Sequence, residues 1–556
     1  MGFNIVVRGA SENNLRSVDA DIPHGRITVI TGVSGSGKSS LAFDIIYREA
    51  QRRYLESFST YARQFMGKLR RPDVAHISGL LPSIAVSQRT VIGNPRSTVG
   101  TLTELHDLLR LLYARLGTAP PGNRPERRLF SFNSPFGACP TCKGLGVEDR
   151  IDPDLLVADP EKSLREGALV ITTPSGYIIY SQVTMDVLGR VCRAHGFDTD
   201  IPWKDLTKEQ KGIVRNGSDR VLIPFGKHPL ASRMRWKGIT ARPREAGHYK
   251  GILPVMEAIL RQKRNRNILR FARTMSCRAC GGTRLRPEAL RVTFRGRNIA
   301  EMCALTVRGI DAFFRGLEFF DKEKPAGLSV HAAVLARTDL LGRLGLGYLA
   351  LDRESTTLSG GEAQRIRLAT QAGSGLRGVL YVLDEPTVGL HPADTEKLLG
   401  ILRELRDNGN TVLIVEHDAA AIRSADHLID LGPGAGVDGG RLLYSGLPEG
   451  IAGIPRGVSL TRDFLAGDLR IAGPASRRTG KGFITIRGAQ KHNLKNIDAT
   501  FMLGAFNVVT GVSGAGKSTL VKHILAERLR EHRPAPDADA PGISIDGRIG
   551  KVIEID

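Results

Sequence analysis

Residues Leu358–Ala369 read LSGGEAQRIRLA. A serine and two glycines precede a run of good helix formers, so the segment predicts a helix whose first turn has no side-chain bulk. Bare backbone N–H groups at a helix start form an anion site. Further along, 378–392 reads GVLYVLDEPTVGLHP, an apolar strand that delivers Asp384 and Glu385 at its C-terminal end. Ligands sit at that end of the strands in α/β sheets. A second strand, NTVLIVEHD at 410–418, carries His417 just beyond its apolar part. Either strand alone is an ordinary buried strand with acids at its edge.

Working back towards the N-terminus, residues Gly32–Ser39 read GVSGSGKS, a G-x-x-x-x-G-K-[ST] loop. Its glycines let successive N–H groups point inward at phosphate oxygens, and the following helix adds its positive end. In this pattern Lys38 reaches the β- and γ-phosphates and Ser39 ligates Mg²⁺. The candidate contacts are Gly32, Ser34, Gly35, Ser36, Gly37, Lys38, Ser39 and Ser40. The loop follows a β-branched run, precedes an apolar helix, and occurs twice. IVVRGASENNLRSVDADIPHGRITVITGVSGSGKSSL from Ile5 aligns without a gap to ITIRGAQKHNLKNIDATFMLGAFNVVTGVSGAGKSTL from Ile484, an offset of 479. Each copy predicts two strands joined by a turn, a buried strand (RITVIT, FNVVT), the loop and a helix. The second loop offers Gly511, Ser513, Gly514, Ala515, Gly516, Lys517, Ser518 and Thr519. Asp384 would hold Mg²⁺, Glu385 would orient and polarise the attacking water, and His417 would contact the γ-phosphate.

The net charge is +22 and the sequence pI about 10.0, a balance that implies a polyanionic partner, nucleic acid first. The excess is local. From Lys227 to Arg297 there are 19 Lys and Arg against three acidic residues. Arg233, Arg235, Lys237, Lys263, Arg264, Arg266 and Arg270 are the candidate DNA contacts. In the part of this segment before Cys277 aromatics are sparse (Trp236, Tyr249, Phe271), which favours phosphate contact and shape readout over base stacking. Of six cysteines, four form two C-x-x-C pairs, Cys139/Cys142 and Cys277/Cys280, each followed by a Gly-containing turn. Two such knuckles make a four-sulfur Zn²⁺ site. Cys192 and Cys303 have no such spacing and are expected as buried small hydrophobes. No run approaches 18 apolar residues and no secretory signal opens the chain, so a cytoplasmic protein with no membrane partner is expected.

Leu358, Ser359, Gly360, Gly361 and Glu362 are similar to the ABC-type ATPase signature, which lies just before the acid-tipped strand, as in that family. In such ATPases the signature of one domain closes over the nucleotide held by the loop of another. Here an unusually long stretch separates Gly32 from Leu358, and it carries the cysteines and the basic segment. With GSGKSSLAFD, QRRYLESFSTYARQF, NPRSTVGTLTE, FSFNSPFGACPTCKGLG, CRACGGTRLRPEAL, TLSGGEAQRIRLA, LDEPTVGLHP and VEHD, most of the chain resembles the UvrA family, the ATPase component of the bacterial excinuclease. The resemblance implies a DNA-damage-sensing ATPase of nucleotide excision repair using ATP, Mg²⁺ and Zn²⁺, with double-stranded DNA as partner and a homodimeric state. It also makes Gln88 the residue that senses nucleotide and Mg²⁺.

Two features depart from the family pattern. GTAPPGNRPERRL, 117–129, stands where the family carries a UvrB-binding domain and a further C-x-x-C pair. That resembles the shorter subgroup associated with drug tolerance and puts recruitment of UvrB in doubt. The chain also stops soon after the second loop, which implies a fragment of a two-domain ATPase that binds ATP but turns it over poorly alone; the alternative is a natural short form whose second loop only binds nucleotide. The expected fold is α/β: an ABC-type P-loop ATPase domain with a large inserted zinc-containing α+β module, plus the start of a second ATPase domain. The expected divisions are 1–120 and 351–455 (first domain), 121–350 (insert), 456–480 (linker) and 481–556 (second domain). A transport ATPase subunit would use the same loops, but it predicts a short loop-to-signature gap and no zinc module. A DNA-binding ATP switch outside excision repair is the other alternative.

Overall fold

The computed structural model describes residues 3–58, 69–87, 94–120, 125–173, 178–181, 183–224, 246–262, 266–530 and 542–555. The chain divides into two units, one of residues 1–127 with 290–556 and one of residues 128–289. The inserted unit is thus narrower than the expected 121–350. Residues beyond 290 join the first unit because their apolar faces find partners there. Ile310, Phe314, Val334 and Leu341 are buried, as are Leu105, Leu109 and Tyr113 of the helix Leu105–Leu116. The Tyr113 hydroxyl donates to the Arg297 carbonyl at 2.8 Å, and Arg337 pairs with Glu104 at 2.7 Å.

In chain order, β1 (Asn4–Ala10), β2 (Val18–Pro23) and β4 (Val74–Ser78) form an antiparallel sheet ordered β2-β1-β4. β3 (Ile27–Gly32) and β5 (Ser83–Val86) belong to the main sheet. In the inserted unit β6 (Val147–Ile151) pairs with β9 (Ala272–Ser276), and β7 (Ser218–Pro224) with β8 (Ala246–Tyr249), both antiparallel. A short hairpin of β10 (Thr293–Phe294) and β11 (Arg297–Asn298) follows. Then come β12 (Leu380–Asp384), β13 (Thr411–Val415), β14 (His427–Gly432) and β15 (Arg441–Gly446). The six-stranded sheet runs β15-β14-β3-β13-β12-β5, parallel except for β15 at its edge. A sheet buried on both faces reads as continuous apolar strands, and all six residues of β3 and all five of β13 are buried. Within the first unit Thr118 and Thr293 exchange backbone hydrogen bonds at 2.7 and 3.1 Å, bringing the two ends that flank the insert together.

The sequence repeat recurs in three dimensions. β16 (Phe483–Ala489), β17 (Ile497–Met502) and β18 (Gly542–Asp546) are ordered β17-β16-β18, as β2-β1-β4 are. Both first strands bulge at equivalent places, between Val7 and Ala10 and between Ile486 and Ala489. The cause is local: Gly9 and Gly488 take φ of +65° and +64°, and each donates its N–H to an aspartate, Asp19 at 2.7 Å and Asp498 at 2.8 Å.

One strand expected from the repeat is not formed. FNVVT at 506–510 has no ladder, and Phe506 is 94% exposed. Its counterpart β3 is a strand because β13 and β14 flank it, and among the described residues nothing equivalent flanks 506–510. The apolar pattern gives a strand only where neighbours complete its hydrogen bonds. KVIEID is likewise without a ladder at 551–555. Among the described residues no helix is long and apolar enough to cross a membrane.

Candidate functional site

The phosphate loop leaves β3 at the C-terminal edge of the sheet. Gly32 has φ of +134°, and a Cβ there would lie 2.0 Å from the Leu431 carbonyl oxygen, so only glycine fits. Gly37 has φ of +104° and packs on Leu15, which a Cβ would approach to 2.6 Å. Lys38 is buried, and its Nζ donates to the carbonyls of Gly32 at 3.0 Å and Val33 at 2.8 Å. Burial lowers its pKa, while Glu385, Asp430 and Asp384 oppose that shift. Ser34, Gly35 and Ser39 face outward, and Ser36 is buried with no hydrogen-bond partner for its hydroxyl. The Ser40 hydroxyl accepts from the Asn13 amide at 2.9 Å.

Beside the loop, β12 ends at Asp384 and β13 leads into Glu416 and His417. Glu385 sits at φ of +43°, a left-handed conformation that glutamate rarely adopts. Its N–H still donates to the Val415 carbonyl at 2.9 Å, and its Oε1 lies 3.1 Å from His417 Nε2. Sequence reasoning passed over two buried acids. Glu416 accepts from Thr387 N (2.9 Å), Thr387 Oγ1 (2.5 Å), His417 N (2.7 Å) and Asp418 N (3.0 Å), so it ties together the loops that hold Glu385 and His417. Asp430 accepts from Ser459 Oγ at 2.6 Å and Thr461 Oγ1 at 3.0 Å. In the sequence both look like acids at a strand edge, and only burial distinguishes them.

The signature behaves as its sequence predicts. Ser359 caps the helix Gly360–Ala372 by accepting from Glu362 N at 3.2 Å, while the Glu362 carboxylate accepts from Ser359 N at 2.8 Å. A Cβ at Gly360 would meet nothing within 4 Å, and one at Gly361 only the Val388 carbonyl at 3.6 Å. Crowding within the chain does not require these glycines, which leaves the open helix start accessible to an anion. Gln364 donates to the carbonyls of Asp384 (2.6 Å) and Val86 (3.3 Å), joining the signature helix to the acid strand. Arg367 donates to the Ser87 carbonyl at 3.3 Å. Gln88 itself lies outside the described residues.

In the second loop Lys517 Nζ donates to the carbonyls of Gly511 (2.7 Å) and Val512 (3.0 Å), the same posture as Lys38. Gly516 has φ of +98°, and Ser513 N donates to the Asp394 carboxylate at 3.3 Å. Asp394 opens the helix Pro392–Asp407 just after the acid strand, so the second loop meets the first domain close to its signature. Thr519 Oγ1 lies 3.4 Å from His492 Nδ1.

In the inserted unit Cys139, Cys142, Cys277 and Cys280 are all buried, and their sulfurs lie within 4.8 Å of one another. The Cys142 and Cys280 sulfurs are 3.8 Å apart, the edge expected of a tetrahedron with metal–sulfur bonds of about 2.3 Å. Positive φ at Lys143, Gly144, Gly281 and Gly282 forms the two knuckles. Cys139 N donates to the Arg284 carbonyl and Cys277 N to the Gly146 carbonyl, both at 2.9 Å, so each knuckle braces the other. Burial pushes the Cys280 thiol up to about 12, so a cation is what would make thiolates favourable there. Cys192 and Cys303 are buried away from this cluster, and burial pushes each up to about 12.

Arg233, Arg235, Lys237, Lys263 and Arg264 lie outside the described residues. Arg266 begins the short helix Arg266–Leu269, and Arg270 is exposed with its guanidinium 4.5 Å from the Phe271 ring centroid.

Residues 152–268 match the UvrA DNA-binding domain. UvrABC system protein A of Thermus thermophilus is 38% identical over 708 aligned positions, covering 99% of this chain and 72% of that protein. This chain belongs to the UvrA family. It is an ABC-type, DNA-binding ATPase of the kind used in excision repair, and the transport reading is not favoured. The Bacillus subtilis UvrABC system protein A is 36% identical over 99% of this chain and 71% of its own length. The crystal structure of UvrA2 from Deinococcus radiodurans matches at a TM-score of 0.73 and 38% identity, over 95% of this chain and 66% of that one. The 708 aligned positions exceed the 556 residues here by 152, so the Thermus relative carries segments inside the aligned span that this UvrA-family chain lacks.

Asp430 gives a pH test. Burial raises its pKa in the folded state, so the folded protein binds this proton more tightly than the unfolded chain does. Its charged form therefore costs stability above the folded pKa, and the cost vanishes below the unfolded value. Asp430→Asn keeps an acceptor for Ser459 and Thr461. The variant is expected to melt a few degrees above the parent at pH 7, and the gap should close as pH falls towards 4, as followed by calorimetry.

Proposed function

We propose that this chain senses damaged or distorted double-stranded DNA and couples that sensing to ATP hydrolysis at composite sites. The observation that carries the reading is the seating of the second phosphate loop on Asp394 and on the Tyr348 ring of the first domain, Tyr348 in turn bonding Glu362 of the signature helix. One domain's loop thus comes close to the other domain's anion-binding helix start.

At the first site Lys38 would exchange its two carbonyl acceptors for the β- and γ-phosphates, and Ser39 and Asp384 would hold Mg²⁺, which would supply positive charge to neutralise the phosphates. Glu385 orients the attacking water, with His417 beside it for the γ-phosphate and Gln88 as the nucleotide sensor. The positive φ of Gly32, Gly35 and Gly37 gives the turned backbone that lets loop N–H groups face phosphate oxygens, so the residues fit a triphosphate. Ser36 and Ser40 complete the loop, Ser36 buried and Ser40 accepting from Asn13. At the second site Lys517, Ser518 and Thr519 face a nucleotide capped by Ser359, Gly360 and Gly361. The domain divisions follow this scheme: residues 1–127 and 290–455 form the first ATPase domain, 128–289 the insert, 456–480 a linker, and 481 onward part of the second.

Zn²⁺ in the four-cysteine cluster would crosslink the two ends of the inserted unit and supplies no chemistry to hydrolysis. The basic segment binds DNA through phosphates. The internal segments missing relative to the Thermus protein support a chain that works without the UvrB-binding domain. A homodimer on DNA and a cytoplasmic location complete the proposal.

Three measurements test it. Glu385→Gln should leave Mg-ATP affinity within about threefold while lowering single-turnover hydrolysis roughly 100-fold, and Lys38→Ala should weaken binding itself; hydrolysis unaffected by Glu385→Gln would exclude this assignment. Metal analysis should find one zinc per chain, lost in Cys277→Ser/Cys280→Ser. Replacing Lys263, Arg264 and Arg266 by Glu should weaken DNA binding at least about tenfold at moderate salt and flatten its salt dependence. An unchanged affinity in fluorescence anisotropy would move the DNA path elsewhere.

A further inference from the structure

The two phosphate loops share one half of their seats and differ in the other. Asn14 and Asn493, equivalent in the repeat, each donate an amide hydrogen to the loop, to the Gly35 carbonyl at 2.8 Å and to the Gly514 carbonyl respectively. The first loop's other side rests on its own domain. Gly436 N donates to Gly35 O at 2.9 Å, Gly440 N donates to Ser36 O at 3.1 Å, and a Cβ on Gly35 would meet Ala435 at 3.1 Å. The second loop's other side rests on the first domain. A Cβ on Gly514 would lie 2.8 Å from the Tyr348 ring, so the ring packs on bare backbone there. Next to it Ser513 N donates to Asp394 Oδ2 at 3.3 Å.

Asp394 is built into its place. It is 7% exposed and stands in the first turn of a 16-residue helix. Lys397 Nζ lies 3.6 Å from its other oxygen. The signature helix contributes the other groups: the Tyr348 hydroxyl bonds to the Glu362 carboxylate, and Arg365 is 6% exposed with its Nε unpartnered and its charge in the field of Asp394, Glu362 and Tyr348. A buried carboxylate with Lys397 beside one oxygen and the Arg365 charge in its field has little freedom to move, so its hydrogen bond fixes the backbone of the loop it reaches.

We infer that Asp394 is a positioning residue of the second nucleotide site: it belongs to the first domain, and through Ser513 N it holds the second phosphate loop in register with the signature helix. The inference rests on the composite-site reading above. It also extends that reading, because Asp394 lies ten residues after Asp384 on the segment that leaves the acid strand. The first site's acids and the second site's loop thereby meet on one short stretch of chain, from the end of β12 to the first turn of the following helix. Asp394 touches neither phosphate nor metal in this role. It lowers the cost of ordering the loop before nucleotide arrives.

The test uses the full chain with Lys38→Ala to silence the first loop, and ATP with Mg²⁺ as the probe in calorimetric titration. Asp394→Ala should weaken binding at the second loop about tenfold, and Asp394→Asn, which keeps an acceptor, should hold it within about twofold. With Lys517→Ala silencing the second loop instead, neither substitution should change binding at the first. Amide exchange without nucleotide provides an independent readout. Peptides covering 511–519 should exchange faster in Asp394→Ala and at the parent rate in Asp394→Asn, with β3 and β13 unchanged in both. Unaltered exchange and affinity in Asp394→Ala, or equal losses at both loops, would overturn the positioning role. If the Lys38→Ala parent shows no ATP binding that depends on Lys517, the composite-site reading itself fails and the role falls with it.

Discussion

β3 lies between two strands that the chain makes far later: Ile27 pairs with Val412, and His427 with Thr28. The first site depends on that pairing, because it sets the phosphate loop beside Glu385 and His417. The entropy of closing a loop grows only with the logarithm of its length, so a long insert costs little more than a short one. The condition is that the insert's ends stay close. In the first unit the Thr118–Thr293 exchange meets it. Within the inserted unit the β6–β9 ladder and the braced cysteine knuckles do the same for residues 138–151 and 272–285.

At the sheet's edge, fully buried acids hold the half-buried ones in place. The proposed roles of Asp384 and Glu385, metal ligand and water-orienting base, depend on backbone geometry. Glu416 supplies that geometry with four hydrogen bonds, two of them to the residues that follow β13. Asp430 lies in the electrostatic field of Lys38 and is bonded to Ser459 and Thr461 near the start of the linker. A positive φ at Glu385 persists because the strands on either side hold it there.

The second copy of the repeat separates local from non-local causes of structure. Its β16–β17 pairing, its bulge at Gly488 and the posture of Lys517 all match the first copy, since each depends on residues close in sequence. FNVVT does not form a strand, although it is as apolar as RITVIT, because a strand needs neighbours as well as pattern. The second loop keeps its shape by leaning on Tyr348 and Asp394 instead.

The sequence by itself determined the elements with local causes: both phosphate loops, the Ser359–Glu362 capping box, the acid-tipped strand, the repeat and the two cysteine knuckles. Each follows from glycine conformation, side-chain capping or apolar periodicity within a few residues. It also indicated the family, because those motifs occur in a fixed order around a large insert. Tertiary structure alone decided that residues 290–350 pack with the first unit, that Glu416 and Asp430 are buried, that 506–510 stays unpaired, and that Asp394 meets Ser513. These depend on which surfaces meet across hundreds of residues, and burial or a cross-domain hydrogen bond leaves no periodic mark in the sequence.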